Sequence, residues 1–224
     1  MKKINLLLPA LLMCMLLICT GCNNAKLTEI ENSATAFLQA ADEGNYESVM
    51  EHCTEDALVQ MNLLSLDPVY SSNSFFLGTG FDRLAFSQEA VTATEEYGKY
   101  LADALIQGYT IHEVSEKNDV GYVTATIFTF AFDTNQPFAS TEFKDKLTTI
   151  MTDYTNANIE ECSAIYVKGG NIALSLHILD KTIPEIMEVM KQETDTYVLE
   201  DIQFKMQLEL IEDKWMVTGA TIVE

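Results

Sequence analysis

The stretch Ile202-Gln203-Phe204-Lys205-Met206-Gln207-Leu208-Glu209-Leu210 alternates apolar and polar residues without a break. Side chains on a β-strand point to opposite faces in turn, so this pattern writes a strand with one dry and one wet face. Glu212-Asp213-Lys214 reads as a turn, and Trp215 to Val223 as the returning strand. The prediction is an antiparallel hairpin with Phe204 and Leu208 in the core. A sheet with one dry face must be covered by something, and the rest of the chain is read for that cover.

Moving upstream, Tyr109 to Glu116 and Val120 to Phe132 read as two more strands joined at Asn118-Asp119. In the second, Tyr122, Thr124, Thr126, Phe128, Phe130 and Phe132 share one face, and Val123, Ala125, Ile127 and Ala131 the other. Apolar residues on both faces predict a central strand covered on both sides. Asp133 to Pro137 reads as a turn. Ser140 or Thr141 then caps a helix with Phe143, Leu147, Ile150, Met151 and Tyr154 as its inner stripe. Ile172, Leu174, Leu176 and Ile178 fit a strand after a Gly169-Gly170-Asn171 hairpin turn, or a helix that restarts after the glycines. Helical neighbours on both sides tilt the reading to helix. Thr182-Ile183-Pro184-Glu185 has the form of a capping box, with Ile186, Met187 and Met190 behind it. Residues from about 138 to 195 thus read as a mostly helical segment between strands.

On the amino-terminal side, Thr28-Glu29-Ile30-Glu31 reads as a capping box with Leu27 as its staple. Ile30, Ala34, Phe37, Leu38 and Ala41 recur at helical spacing, and Gly44 ends that helix. Asn45 caps a second helix with Val49, Met50 and Cys53 facing in. Thr54 caps a third with Leu58, Met61 and Leu64 facing in. From Ser65 to Asp82 the periodicity stops, and the stretch reads as a long loop with Pro68, Gly78, Gly80 and the aromatics Tyr70, Phe75, Phe76 and Phe81. Four exposed rings would cost solubility. They therefore either form the apolar contacts of a ligand or partner site or plug the open end of the core. Ser87 caps a long helix whose stripe is Val91, Thr94, Tyr97, Leu101 and Leu105, ended by Gly108.

Two stretches resemble a known family. Ala36-Phe37-Leu38-Gln39-Ala40-Ala41-Asp42-Glu43-Gly44-Asn45-Tyr46-Glu47 is similar to the opening helices of the nuclear transport factor 2-like fold, and Leu208 to Val217, with Glu212-Asp213-Lys214-Trp215, resembles its closing hairpin. The resemblance implies an α+β fold: a curved antiparallel sheet wrapped by the N-terminal helices into a cone, with a pocket between sheet and helices and the segment over about 138–195 as a helical insertion.

The N-terminus resembles a lipoprotein leader. Lys2 and Lys3 precede an apolar run from Ile4 to Ile18, short of the about 20 apolar residues of a transmembrane helix. Leu16-Leu17-Ile18-Cys19-Thr20-Gly21-Cys22 looks like a lipobox, with Cys19 where such motifs commonly carry Leu. The resemblance implies a signal peptide over 1–21, lipidation of Cys22, a short tether over 22–27 and a single domain over 28–224. It also implies a protein held on the extracytoplasmic face of the cell membrane. The combination is similar to small lipoproteins of Gram-positive bacteria. Two acyl chains, at ~0.8 kcal/mol per buried CH₂, anchor a domain stably.

Without Lys2 and Lys3 the chain carries 11 basic against 34 acidic residues, a net charge of −23. Such a surface repels nucleic acid. Cys53 and Cys162 are too few for a disulfide framework and read as buried, unreactive thiols.

No catalytic or cofactor motif is visible. His52, His112 and His177 lack metal-ligand spacing, and no calcium loop is present. Glu47, Glu51, Glu55 and Asp56 form either a cation-sharing or, more simply, a solvated acidic face. No cofactor or metal is expected. Asp103, Tyr97, Tyr109 and Tyr122 are the residue types of a ketosteroid isomerase-like site, which pairs a carboxylate base with a hydroxyl donor in an apolar pocket. Three functions are open: a non-catalytic domain of the cell envelope binding a small molecule, peptide or protein; such an enzyme; or a structural assembly component. The first is expected. A buried carboxylate beside a donor would favour the enzyme, and a dry apolar cleft would favour binding.

Overall fold

The computed structural model describes the backbone of residues 7–61, 63–130 and 140–223, with side-chain surroundings from Asn24 onward within those ranges. The lipobox with its Cys22, the strand ends at Ala131 and Phe132 and the turn over 133–137 lie outside the residues described in full.

The fold is α+β. Four strands form one open antiparallel sheet in the order β1-β2-β3-β4: β1 Ile106–Lys117, β2 Val120–Phe130, β3 Leu199–Ile211 and β4 Lys214–Ile222. Both tight turns are local chemistry. Asn118 and Asp119 sit at φ 56° and 62°, and Glu212 and Asp213 at 49° and 64°, the left-handed pair that matches the twist of a two-residue hairpin. The predicted closing hairpin is present, with Leu210 opposite Trp215 and Phe204 opposite Ile222. Phe204, Met206 and Leu208 are buried, while Leu210, near the turn, is 53% exposed.

Helix α1, Leu7–Asp42, crosses the dry face of this sheet. Its buried stripe is the predicted one: Ile30, Ala34, Phe37, Leu38 and Ala41. Gly121 lets it come close, since a Cβ there would stand 2.9 Å from Ile30 Cγ2. The capping box at Thr28 does not form. The helix runs through it, the backbone of the expected tether over 22–27 is helical, and the Thr28 hydroxyl donates to the Asn24 carbonyl one turn back. Lys26 fixes this end on the sheet, 2.8 Å from Asp119 and 3.3 Å from Glu116. Every buried core residue lies at or after Ile30, so the chain from residue 23 holds the whole described core.

Two short helices follow, α2 Tyr46–His52 and α3 Glu55–Gln60, capped by Asn45 and Thr54 as predicted. Val49 is buried, but Met50 is 42% exposed. Cys53 lies beyond the end of α2, where it bridges Val217 on the free edge of β4. A 3-10 turn, Leu63–Leu66, buries Leu63 and Leu66 in place of Leu64.

The predicted loop over 65–82 is mostly helix. Helix α4 spans Pro68–Thr79, with the Asp67 carboxylate accepting from the Val69 N–H at 2.8 Å, Pro68 in the first turn and Gly80 closing it at φ 78°. Helix α5, Gln88–Leu105, is capped by Ser87 as predicted but passes directly into β1 at Ile106. Gly108 is therefore not its stop; it sits in β1 at φ 145°, where the β1–β2 register shifts.

Between β2 and β3 lie α6, Thr141–Ala157, capped by Ser140, and α7, Ile159–Thr194. The helical reading of 159–180 holds, with a break at Gly170, φ 69° and ψ −162°. The second capping box does not form. Pro184 lies inside α7, and the Thr182 hydroxyl donates to the Ile178 carbonyl at 2.8 Å.

Two apolar cores result. One joins the dry sheet face to α1, α2 and α3; the other joins α4, α5, α6 and α7. Among the described residues, helices cover one sheet face, so β2 is central but its other face is open along most of its length, with both faces buried only at Thr129 and Phe130. On its outer face Phe128 is exposed, and Lys205 Nζ lies 4.7 Å from the Tyr122 ring.

Candidate functional site

Where the two cores meet, a cavity of about 660 Å³ remains. Phe37, Leu38 and Ala41 of α1 form one wall and Ile106, Ile127, Phe204 and Ala220 of the sheet another. Tyr97, Leu101 and Leu105 of α5 close it on the helical side, with Leu63, Phe130 and Tyr197. Its position follows from the topology. Lys26 and Ile30 cover the sheet near its two tight turns, whereas the cavity residues come from the opposite ends of the strands. There the sheet passes from the cover of α1 to that of α5, and neither helix fills the space between. The volume lies within the 300–1,000 Å³ of small-molecule sites.

Among the described residues that line it there is no Asp, Glu, His, Lys or Arg. Its polar groups are hydroxyls and the Gln60 amide, and Gln60 is exposed at the rim. Two hydroxyls are tied into the fold. Thr129 Oγ1 donates to the Leu105 carbonyl at 2.6 Å. Tyr97 Oη lies 3.1 Å from Thr194 Oγ1, which itself donates to the Met190 carbonyl at 2.9 Å. Burial pushes the phenols of Tyr97 and Tyr197 up from their ordinary value, so both stay protonated at neutral pH. The Tyr197 ring meets the Phe130 ring edge-on at 5.3 Å.

The four aromatics singled out in the sequence lie elsewhere. Phe76 is 0% exposed and packs on Phe86 at 4.5 Å between ring centroids. Phe75 meets Phe76 edge-on, Phe81 meets Phe86, and Tyr70 is 46% exposed. None of the four lines the cavity; Phe75, Phe76 and Phe81 build the second core.

Of the isomerase-type residues only Tyr97 reaches the cavity. Asp103 is exposed, with its carboxylate against the Gly44 backbone. Tyr109 packs on the first core and Tyr122 lies under Lys205. Among the described residues no group of three or more His, Cys, Asp or Glu side chains is placed to hold a metal, which leaves Glu47, Glu51, Glu55 and Asp56 without a shared cation site. His112 bonds Thr126, and His177 bonds Tyr154. Cys53 and Cys162 are free, buried thiols, and burial pushes the Cys53 thiol up to about 11.

Sequence reasoning took Phe37, Leu38, Leu101, Leu105 and Phe204 for core, because a cavity wall and a packed core have the same composition. Tyr97 and Thr129, hydroxyls set in apolar surroundings, were the one available signal. No protein-family model matches the chain, and no curated protein or solved structure shows significant similarity to it. Among the described residues no helix is long and apolar enough to cross a membrane.

Proposed function

We propose that this chain is a lipid-anchored, extracytoplasmic binding domain that holds an apolar small molecule between its sheet and its helices. The cavity carries the reading: about 660 Å³, walled by aliphatic and aromatic side chains, with no ionisable carboxylate, imidazole or amine among its described lining. An isomerase-type site needs a carboxylate at the reacting carbon, and Asp103 lies outside. A non-catalytic role is therefore proposed. Anchorage through Cys22 rests on the lipobox-like sequence. The cone of the nuclear transport factor 2-like fold is the proposed relation for the sheet and α1, supported by the Gly44-Asn45 turn and the closing hairpin.

The test is direct. The chain from residue 23 is titrated with an environment-sensitive apolar dye, expected to bind saturably at one site. Ala220→Trp, which places an indole in the cavity wall, should weaken the dye at least tenfold with the melting temperature largely kept. Non-saturable binding, or equal binding by the variant, would refute the proposal.

A further inference from the structure

Resting on the anchor and cavity readings above, the packing of α1 fixes which end of the molecule meets the lipid. Lys26 stands at both tight turns of the sheet. Its ammonium pairs with Glu116 and Asp119 at the β1–β2 turn and lies 5.7 Å from the Trp215 ring beside the β3–β4 turn. Cys22 is one helical turn upstream on the same helix. That turn rises about 5.4 Å, and the same stretch fully unwound reaches at most about 14 Å. The exposed residues of the cavity lining, Gln60, Thr221 and Ile222, mark its mouth. Ile222 closes β4 at the end away from the turn, about 26 Å along the strand. The anchor therefore reaches the turns and falls short of the mouth, whether or not its helix unwinds.

We infer that the lipidated protein stands with its two tight turns on the bilayer and its cavity mouth on the far side, so that the ligand enters from the extracytoplasmic medium and not from the lipid beneath. The short tether, not charge, holds that end down. At the turns Glu116, Asp119, Glu212 and Asp213 outnumber Lys26, Lys117 and Lys214, which gives no attraction to lipid headgroups. The net charge of −23 likewise opposes laying the body flat on an anionic surface. The ion pairs of Lys26 and the Thr28–Asn24 hydrogen bond keep the first turns of the domain helical and fixed to the sheet.

The test places the lipid-bearing chain on vesicles of phosphatidylcholine and phosphatidylglycerol that contain a headgroup spin-labelled lipid. A fluorophore is attached at Lys117→Cys, by the turns, or at Ile222→Cys, by the mouth; the native Cys53 and Cys162 are buried. The spin label quenches only near contact, so the turn fluorophore should lose most of its intensity and the mouth fluorophore should keep its own. In a second arm the apolar dye is offered from unlabelled vesicles to an excess of wild-type protein. The lipidated form and the chain from residue 23 should load at the same rate, set by escape of the dye into water. Quenching at the mouth, or faster loading of the lipidated form, overturns the inference. A chain that does not float with the vesicles ends the anchor reading and this inference together. A dye that enters neither form ends the cavity reading alone, and the quenching then decides the orientation.

Discussion

Gly44 links the first helix to everything that follows, and its replacement tests the packing that positions the cavity. It adopts φ +61°, and a Cβ there would stand 2.6 Å from Asp103 Oδ1, 2.9 Å from the Asp103 N and 3.0 Å from the Ala102 C. The carboxylate can swing away, but the α5 backbone cannot. Gly80 is the natural control, with φ +78° and nothing within 4 Å of its would-be Cβ. For both, alanine in the left-handed region costs about 1–2 kcal/mol, offset by about 0.4–1 kcal/mol from a less flexible unfolded chain. Gly80→Ala should therefore lose about 0.5–1 kcal/mol. Gly44→Ala adds a steric clash against a packed helix, worth about 1–3 kcal/mol, for a total loss of about 1.5–4 kcal/mol. Urea unfolding followed by far-UV circular dichroism measures both, and the slope with denaturant should not change. Equal losses, within about 0.5 kcal/mol, would show that the turn after α1 does not rest on α5. The cavity wall formed by those two helices would then be misplaced.

Other expectations follow from particular side chains. Phe76→Ala should cost about 3–5 kcal/mol, because the ring is wholly enclosed in the second core; a loss below about 1 kcal/mol would return it to the surface. Cys22→Ala should leave an uncleaved precursor without fatty-acid label, and normal maturation of that variant would end the anchor reading. In the folded protein, alkylation at pH 8 should spare Cys53 and Cys162 and modify both after unfolding; an unfolded, unreduced chain with neither adduct would reveal a disulfide. His52 is held below its ordinary value, first by burial and then by Lys214, and its Nδ1 is buried without a hydrogen-bond partner. The unfolded chain therefore binds a proton more readily, so stability should fall as pH drops below about 6.5. His52→Gln should flatten that part of the stability–pH curve, and an unchanged curve would place the imidazole in water.

The sequence by itself determined what short-range hydrogen bonding and periodicity can encode. The caps at Asn45, Thr54, Ser87 and Ser140 formed where they were read, because a side chain reaching the next turn is a local event. The hairpin from Ile202 to Val223 and the stripe from Ile30 to Ala41 likewise follow from alternation and helical spacing. Tertiary structure decided the rest. Thr28 and Thr182 carry cap signatures, yet both lie inside longer helices, where their hydroxyls bond back to Asn24 and Ile178. Packing on the sheet and on α5 outweighs a cap worth about 1 kcal/mol. Helix α4 shows no helical period because apolar residues stand on both of its faces: Phe76 is enclosed against Phe86, while Val69, Tyr70 and Leu77 are exposed. The cavity is the extreme case: it is a gap left where two helices diverge over a sheet, and a gap belongs to no residue's own pattern.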